Sequence, residues 1–99
     1  MLEELYQLVM GEEGFIVTLR CDNLFDEAKY KDIKAMLCNL VEDWKNKEFI
    51  PKKAMLIIVE LIECLVGGSR FLSKETAITV EDASIEIKDI LNELYESLQ

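Results

Sequence analysis

The side chains best able to do chemistry in this chain are carboxylates and thiols, because the sequence contains no histidine. Without imidazole there is no Ser-His-Asp or Cys-His arrangement and no histidine metal ligand. A hydrolase would have to run on carboxylates, lysine or cysteine alone. Cys21, Cys38 and Cys64 lie too far apart in sequence for a close chelating pair, and an odd count is a poor disulfide framework. Cys38 sits beside an apolar stripe and Cys64 within an apolar run, where both read as small hydrophobes of a reduced protein. Cys21, near a helix start, is the one placed for a lowered pKa, but no base accompanies it.

Glu60 and Glu63 are the only acids of an otherwise apolar segment. Paired carboxylates suit an acid–base couple or a metal site, yet carboxylate metal sites in helical bundles usually also need Glu-x-x-His. Their spacing instead fits the narrow wet strip of a buried helix. Gly11-x-x-Gly14 and Gly67-Gly68 match no phosphate-binding loop. Lys45, Lys47, Lys52 and Lys53 surround Trp44, Phe49, Ile50 and Pro51, which reads as a helix end with a hydrophobic corner packed inward.

The strongest pattern is acidic. At about 100° per residue, Asp82, Glu86, Asp89, Glu93 and Glu96 fall within about 80° of one another on a helix. Only Lys88 opposes them between Glu81 and Glu96. Like charges at i,i+4 destabilise a helix by roughly 0.2–0.5 kcal/mol a pair, and a solvated face would more cheaply mix signs. Removing such pairs by reversal to lysine should therefore leave the fold as stable as before. Two readings stand: a ridge that faces a partner, or an acidic surface that keeps the protein in solution.

Composition sets the frame for these residues. The 99 residues are 51% hydrophobic, enough for one globular domain spanning 1–99 and too many for a disordered chain. Twenty acids against 11 bases give a formal charge of −9. That argues against direct nucleic-acid binding, where neutralising phosphates dominates affinity, and favours a basic protein partner. The richest apolar stretch, Ala54 to Val66, is shorter than the ~20 residues needed to cross a bilayer. The start, Met1-Leu2-Glu3-Glu4, is acidic where a secretion signal is basic, so a cytoplasmic protein is expected. No cofactor is implied.

The elements that must hold the ridge are helical. One proline and four glycines disfavour a turn-rich β fold. Leu2, Leu5, Tyr6 and Val9 predict a short first helix that stops at Gly11 and Gly14. Phe15 to Arg20 has strand-like composition but no partner strand in the chain. It is open between a strand paired to another molecule and an extended or helical piece pressed on the core. Asp22-Asn23 predicts a cap before a helix to about Lys47, with Tyr30, Ile33, Leu37, Leu40, Val41 and Trp44 as its stripe. Pro51 suits the first turn of a third long helix, apolar nearly all round, ending at Gly67-Gly68. A helix without a polar face belongs inside the bundle. Ser69 to Ile78 reads as a connection, and Thr79 as the cap of a last helix to about Leu98. The sum is an all-α four-helix bundle with the helix after Pro51 most buried, and a short extended segment near residues 15–20 as an option.

The stretch Tyr30 to Val59 joins a helix ending in tryptophan to an Ile-Pro-Lys hinge and an apolar helix. With the leading Gly14-Phe15-Ile16-Val17-Thr18-Leu19-Arg20, it resembles small helical immunity proteins of bacterial contact-dependent growth inhibition and polymorphic-toxin systems. The resemblance implies a cytoplasmic inhibitor that occludes a cognate toxin, with acidic members blocking the basic cleft of a nuclease. It transfers no binding residue; the ridge is read from this sequence alone. The competing functions are an interaction or homodimeric scaffold module and, last, an enzyme built on Glu60 and Glu63.

Overall fold

The structure, a computed structural model, describes residues 2–22, 24–67 and 73–96, apart from the side chains of Tyr95 and Glu96. It is all-α. Among the described residues five helices follow one another: α1 (Leu2–Met10), α2 (Phe15–Asp22), α3 (Glu27–Trp44), α4 (Lys52–Gly67) and α5 (Lys74–Glu96). Four of them close a ring in which α1 packs on α3, α3 on α5, α5 on α4 and α4 on α1. The short α2 lies against α1 and α4.

The strand-like segment is helical. Phe15, Ile16 and Leu19 are buried while Val17, Arg20 and Cys21 are exposed, a helical rather than an alternating pattern. A lone strand would leave its backbone groups unpaired, whereas a helix satisfies them internally. Burying Phe15 then outweighs β propensity, and the extended option for residues 15–20 is set aside. Gly14 makes the turn into this helix. Its N–H donates to the Gly11 carbonyl at 2.9 Å, and its own carbonyl accepts from Thr18 N–H at 3.0 Å. A Cβ at Gly14 would sit 2.8 to 2.9 Å from backbone atoms of Gly11 and Val9, so no larger residue fits.

The helix starts differ from expectation where a nearer cap exists. Asp22 ends α2, and the cap of α3 is Asp26, whose Oδ1 accepts from Lys29 N–H at 3.0 Å. Asn23 lies outside the described residues. Pro51 stands one position before α4, where its carbonyl accepts from Met55 N–H at 3.2 Å. The last helix begins at Lys74, not beyond Thr79, because Ser73 caps it: Ser73 Oγ accepts from Thr76 N–H at 3.3 Å. Thr79 instead donates its hydroxyl to the Glu75 carbonyl within the helix. Gly68 of the expected stop and residues 69–72 of the expected connection lie outside the described residues.

The core is one cluster of apolar side chains from all five helices. Tyr30, Ile33, Leu37, Val41 and Trp44 from α3 meet Ala54, Ile57, Leu61, Cys64 and Leu65 from α4 and Val80, Ala83 and Ile87 from α5. Phe15, Phe25 and Tyr30 pack ring to ring at 5.2 to 6.1 Å and pin α2 to the start of α3. The helix after Pro51 departs from full enclosure. It packs against α1, α2 and α5, yet Met55, Leu56, Val59 and Val66 are exposed on its other side. In a ring of four helices every member has an outer face, so an all-round apolar helix must leave one side in water.

Candidate functional site

Asp82, Glu86, Asp89 and Glu93 do share one exposed face of α5, as the spacing predicts. Glu96 lies at the end of the same helix, its side chain outside the described residues. The ridge is not isolated, however. It runs along the seam with α3, and α3 with its C-cap residue Lys45 supplies counter-charges. Lys34 Nζ meets Glu86 Oε2 at 2.5 Å, and Lys45 Nζ meets Glu93 Oε2 at 3.3 Å and Glu42 Oε1 at 3.1 Å. The carboxylates of Glu42 and then Glu93 hold the Lys45 ammonium above the ordinary lysine value. Asp82 and Asp89 are exposed and make no ion pair among the described residues. The ridge thus divides into two acids tied to α3 and two that are exposed without an ion pair among the described residues.

Between α3 and α5 the ridge borders a cleft of about 290 Å³. Phe25 and Tyr30 line it, with Glu27, Lys34, Asp82 and Glu86 among the charged residues around it. Tyr30 is buried there and its hydroxyl donates to the Ala83 carbonyl at 3.4 Å. Burial first, and the nearby Glu86 carboxylate second, push its ionisation well above the ordinary tyrosine range. Lys34 Nζ stands 5.2 Å from the centre of the Tyr30 ring while it pairs with Glu86. One lysine therefore serves both the aromatic floor and the ridge.

The other candidates are dispersed. Cys64 is buried, and desolvation raises its thiol pKa against a smaller opposing pull from Arg20. Cys38 and Cys21 are exposed. For Cys38 this corrects the core reading: it sits about 100° from the centre of the α3 stripe, far enough round the helix to reach water. Glu60 is half-buried and Glu63 exposed, and neither lines the cleft. Among the described residues no group of three Cys, Asp or Glu side chains could hold a metal ion. None of the described helices is long and apolar enough to cross a membrane.

The basic corner also separates. Lys47 pairs with Asp43 at 2.8 Å, and Lys53 pairs with Glu3 while lying 4.5 Å from the Tyr6 ring centre. The Lys53 contact, with help from Gln7, lowers the Glu3 pKa. Trp44 is buried, but Phe49 does not pack inward as expected; it is 78% exposed. Sequence reasoning missed Lys34 and Lys45 as partners of the ridge. Their only signal was a place on the polar side of α3, which says nothing of the helix opposite. Compared with known proteins, the chain matches no family model, no curated protein and no solved structure.

Proposed function

We propose that this chain is a non-catalytic binding protein that covers a basic surface of a partner protein. Its instance is a cytoplasmic immunity protein that neutralises a toxin, most simply a nuclease, by occluding the cleft. The observation that carries this reading is the pair Asp82 and Asp89 of the ridge, exposed and without an ion pair among the described residues. Carboxylates on a rigid helix can stand in for phosphates before a partner's arginines and lysines, to which they make charge-assisted hydrogen bonds. The net charge of −9 adds long-range attraction that raises the on-rate. Glu86 and Glu93, already held by Lys34 and Lys45, contribute fixed positions for a second set of acceptors.

The test is to search the neighbourhood of its gene for a toxin domain and to co-express this chain with any toxin domain found there. Restored growth, with a one-to-one complex recovered from the cells, supports the reading. Continued killing in the presence of folded, abundant protein overturns it. Association measured at low and high salt adds a second check, because steering by charge must slow as salt screens it.

A further inference from the structure

The outer face of α4 is apolar and uncovered by the rest of the described chain. Met55 is 54% exposed, Leu56 48%, Val59 43% and Val66 55%, and no side chain of the acidic ridge takes part. An exposed apolar strip of this kind marks a contact surface. What it contacts is indicated by its charges. The same face carries Lys52 near its start and Glu63 near its end, both exposed and neither in an ion pair among the described residues.

These positions are symmetrical along the helix. Lys52 and Glu63 lie equally far to either side of one level, midway between Ile57 and Ile58. Leu56 and Val59 are also equally spaced about it. A two-fold axis at that level sets Lys52 of one copy beside Glu63 of the other, twice, and Leu56 beside Val59. An isologous interface demands this self-complementarity, in which residue i meets j and j meets i.

We propose that the occupant of this face is a second copy of the chain, packed α4 against α4 in antiparallel register. Its 16 residues span about 24 Å, so one helix from each copy buries less than the roughly 1,200 Å² of a small stable interface. The dimer is therefore weak and transient, and its population depends on concentration. The apolar strip supplies association and the Lys52–Glu63 pairs supply direction, since a parallel pairing would place like charges together.

Sedimentation equilibrium of the full chain over a wide concentration range tests this directly. The parent should show a reversible monomer–dimer equilibrium. Lys52→Glu or Glu63→Lys alone should weaken it at least about tenfold, and the two together should return to within about threefold of the parent. Val59→Glu should be monomeric throughout, with parental helix content by circular dichroism. The reversals lie at exposed positions, so they decide the matter whatever Val59→Glu does to folding. A parent that stays monomeric, single reversals that behave as the parent, or a double reversal that fails to recover overturns the proposal.

Discussion

Lys34 and Glu86, 52 residues apart in sequence, meet at 2.5 Å across the seam between α3 and α5. The contact ties the acidic ridge to the bundle and alters what charge reversal there can reveal. Both side chains keep substantial exposure, so the pair contributes about 1 kcal/mol at most. Glu86→Lys should lower the melting temperature by setting two ammonium groups face to face, and Lys34→Glu in the same chain should recover it. Thermal melts of the two single variants and the double measure this. A double variant no more stable than Glu86→Lys would mean the pair does not hold in solution. Reversing residues 86, 89 and 93 together therefore disturbs fold and surface at once, contrary to the expectation of an unharmed fold.

Tyr30 joins α3 to α5 through its hydrogen bond to Ala83. Tyr30→Phe should cost about 1 kcal/mol, the typical net value of one such bond. A pH effect accompanies it. Burial and Glu86 raise the folded-state pKa above the unfolded value near 10, so the contribution is complete below pH 10. Above that pH the unfolded chain loses the proton first, and stability falls as pH rises toward the folded value. Melts from pH 8 upward should show a fall that is shallower in Tyr30→Phe. Parallel curves for the two proteins would remove Tyr30 as the cause.

Gly14 has no room for a side chain, because the atoms facing its missing Cβ are backbone carbonyls and an amide. Gly14→Ala should destabilise the fold by about 1–3 kcal/mol, as overpacking does, and loosen α2 from α1. Denaturant unfolding gives the magnitude. Hydrogen exchange in residues 15–22 should speed up more than in α5. A variant as stable as the parent would show that the turn relaxes freely.

Much of the bundle could be read from spacing, and the failures have physical causes. Of the α3 stripe, Tyr30, Ile33, Leu37, Val41 and Trp44 are buried and Leu40, at its edge, is half-buried, since one face of that helix is apolar and the other is not. For α4 no such contrast exists. Periodicity could not say which side of Met55, Ile57, Val59 and Leu61 would meet the core, and the choice went to packing. The ridge acids were visible as a face of α5, but periodicity gives direction and not neighbour. Only the ring order α1, α3, α5, α4 brings Lys34 and Lys45 to that seam. By residue type Thr79 and Asp22 are caps as plausible as Ser73 and Asp26, so type alone does not choose between them.

The three thiols should separate cleanly. Cys21 and Cys38 are exposed, so Cys21→Ala and Cys38→Ala should change stability by no more than about 0.5 kcal/mol. Cys64 is buried among core side chains and its thiol resists ionisation, so Cys64→Ala should cost more than either. Alkylation of the native protein should label two thiols quickly and the third only on unfolding. Rapid labelling of all three would mean that α4 opens readily, and the packing around Cys64 would need revision.

Asp82 and Asp89 separate a partner-facing ridge from a merely solvated one. Asp82→Lys with Asp89→Lys changes the net charge by four units, from −9 to −5. Neither aspartate makes an ion pair among the described residues, and both point away from the buried Ala83 and Ile87. Each reversal also replaces a like-charge i,i+4 neighbour, Glu86 or Glu93, with an opposite one, so the helix gains a few tenths of a kcal/mol. A basic partner meets the variant with cation against cation, a cost of several kcal/mol and more than a hundredfold in affinity. The proposed function thus requires unchanged or slightly raised thermal stability together with lost protection in the co-expression assay. A double variant that melts like the parent and still protects leaves these two acids with a solvating role, and the contact surface must then lie on another face of the bundle.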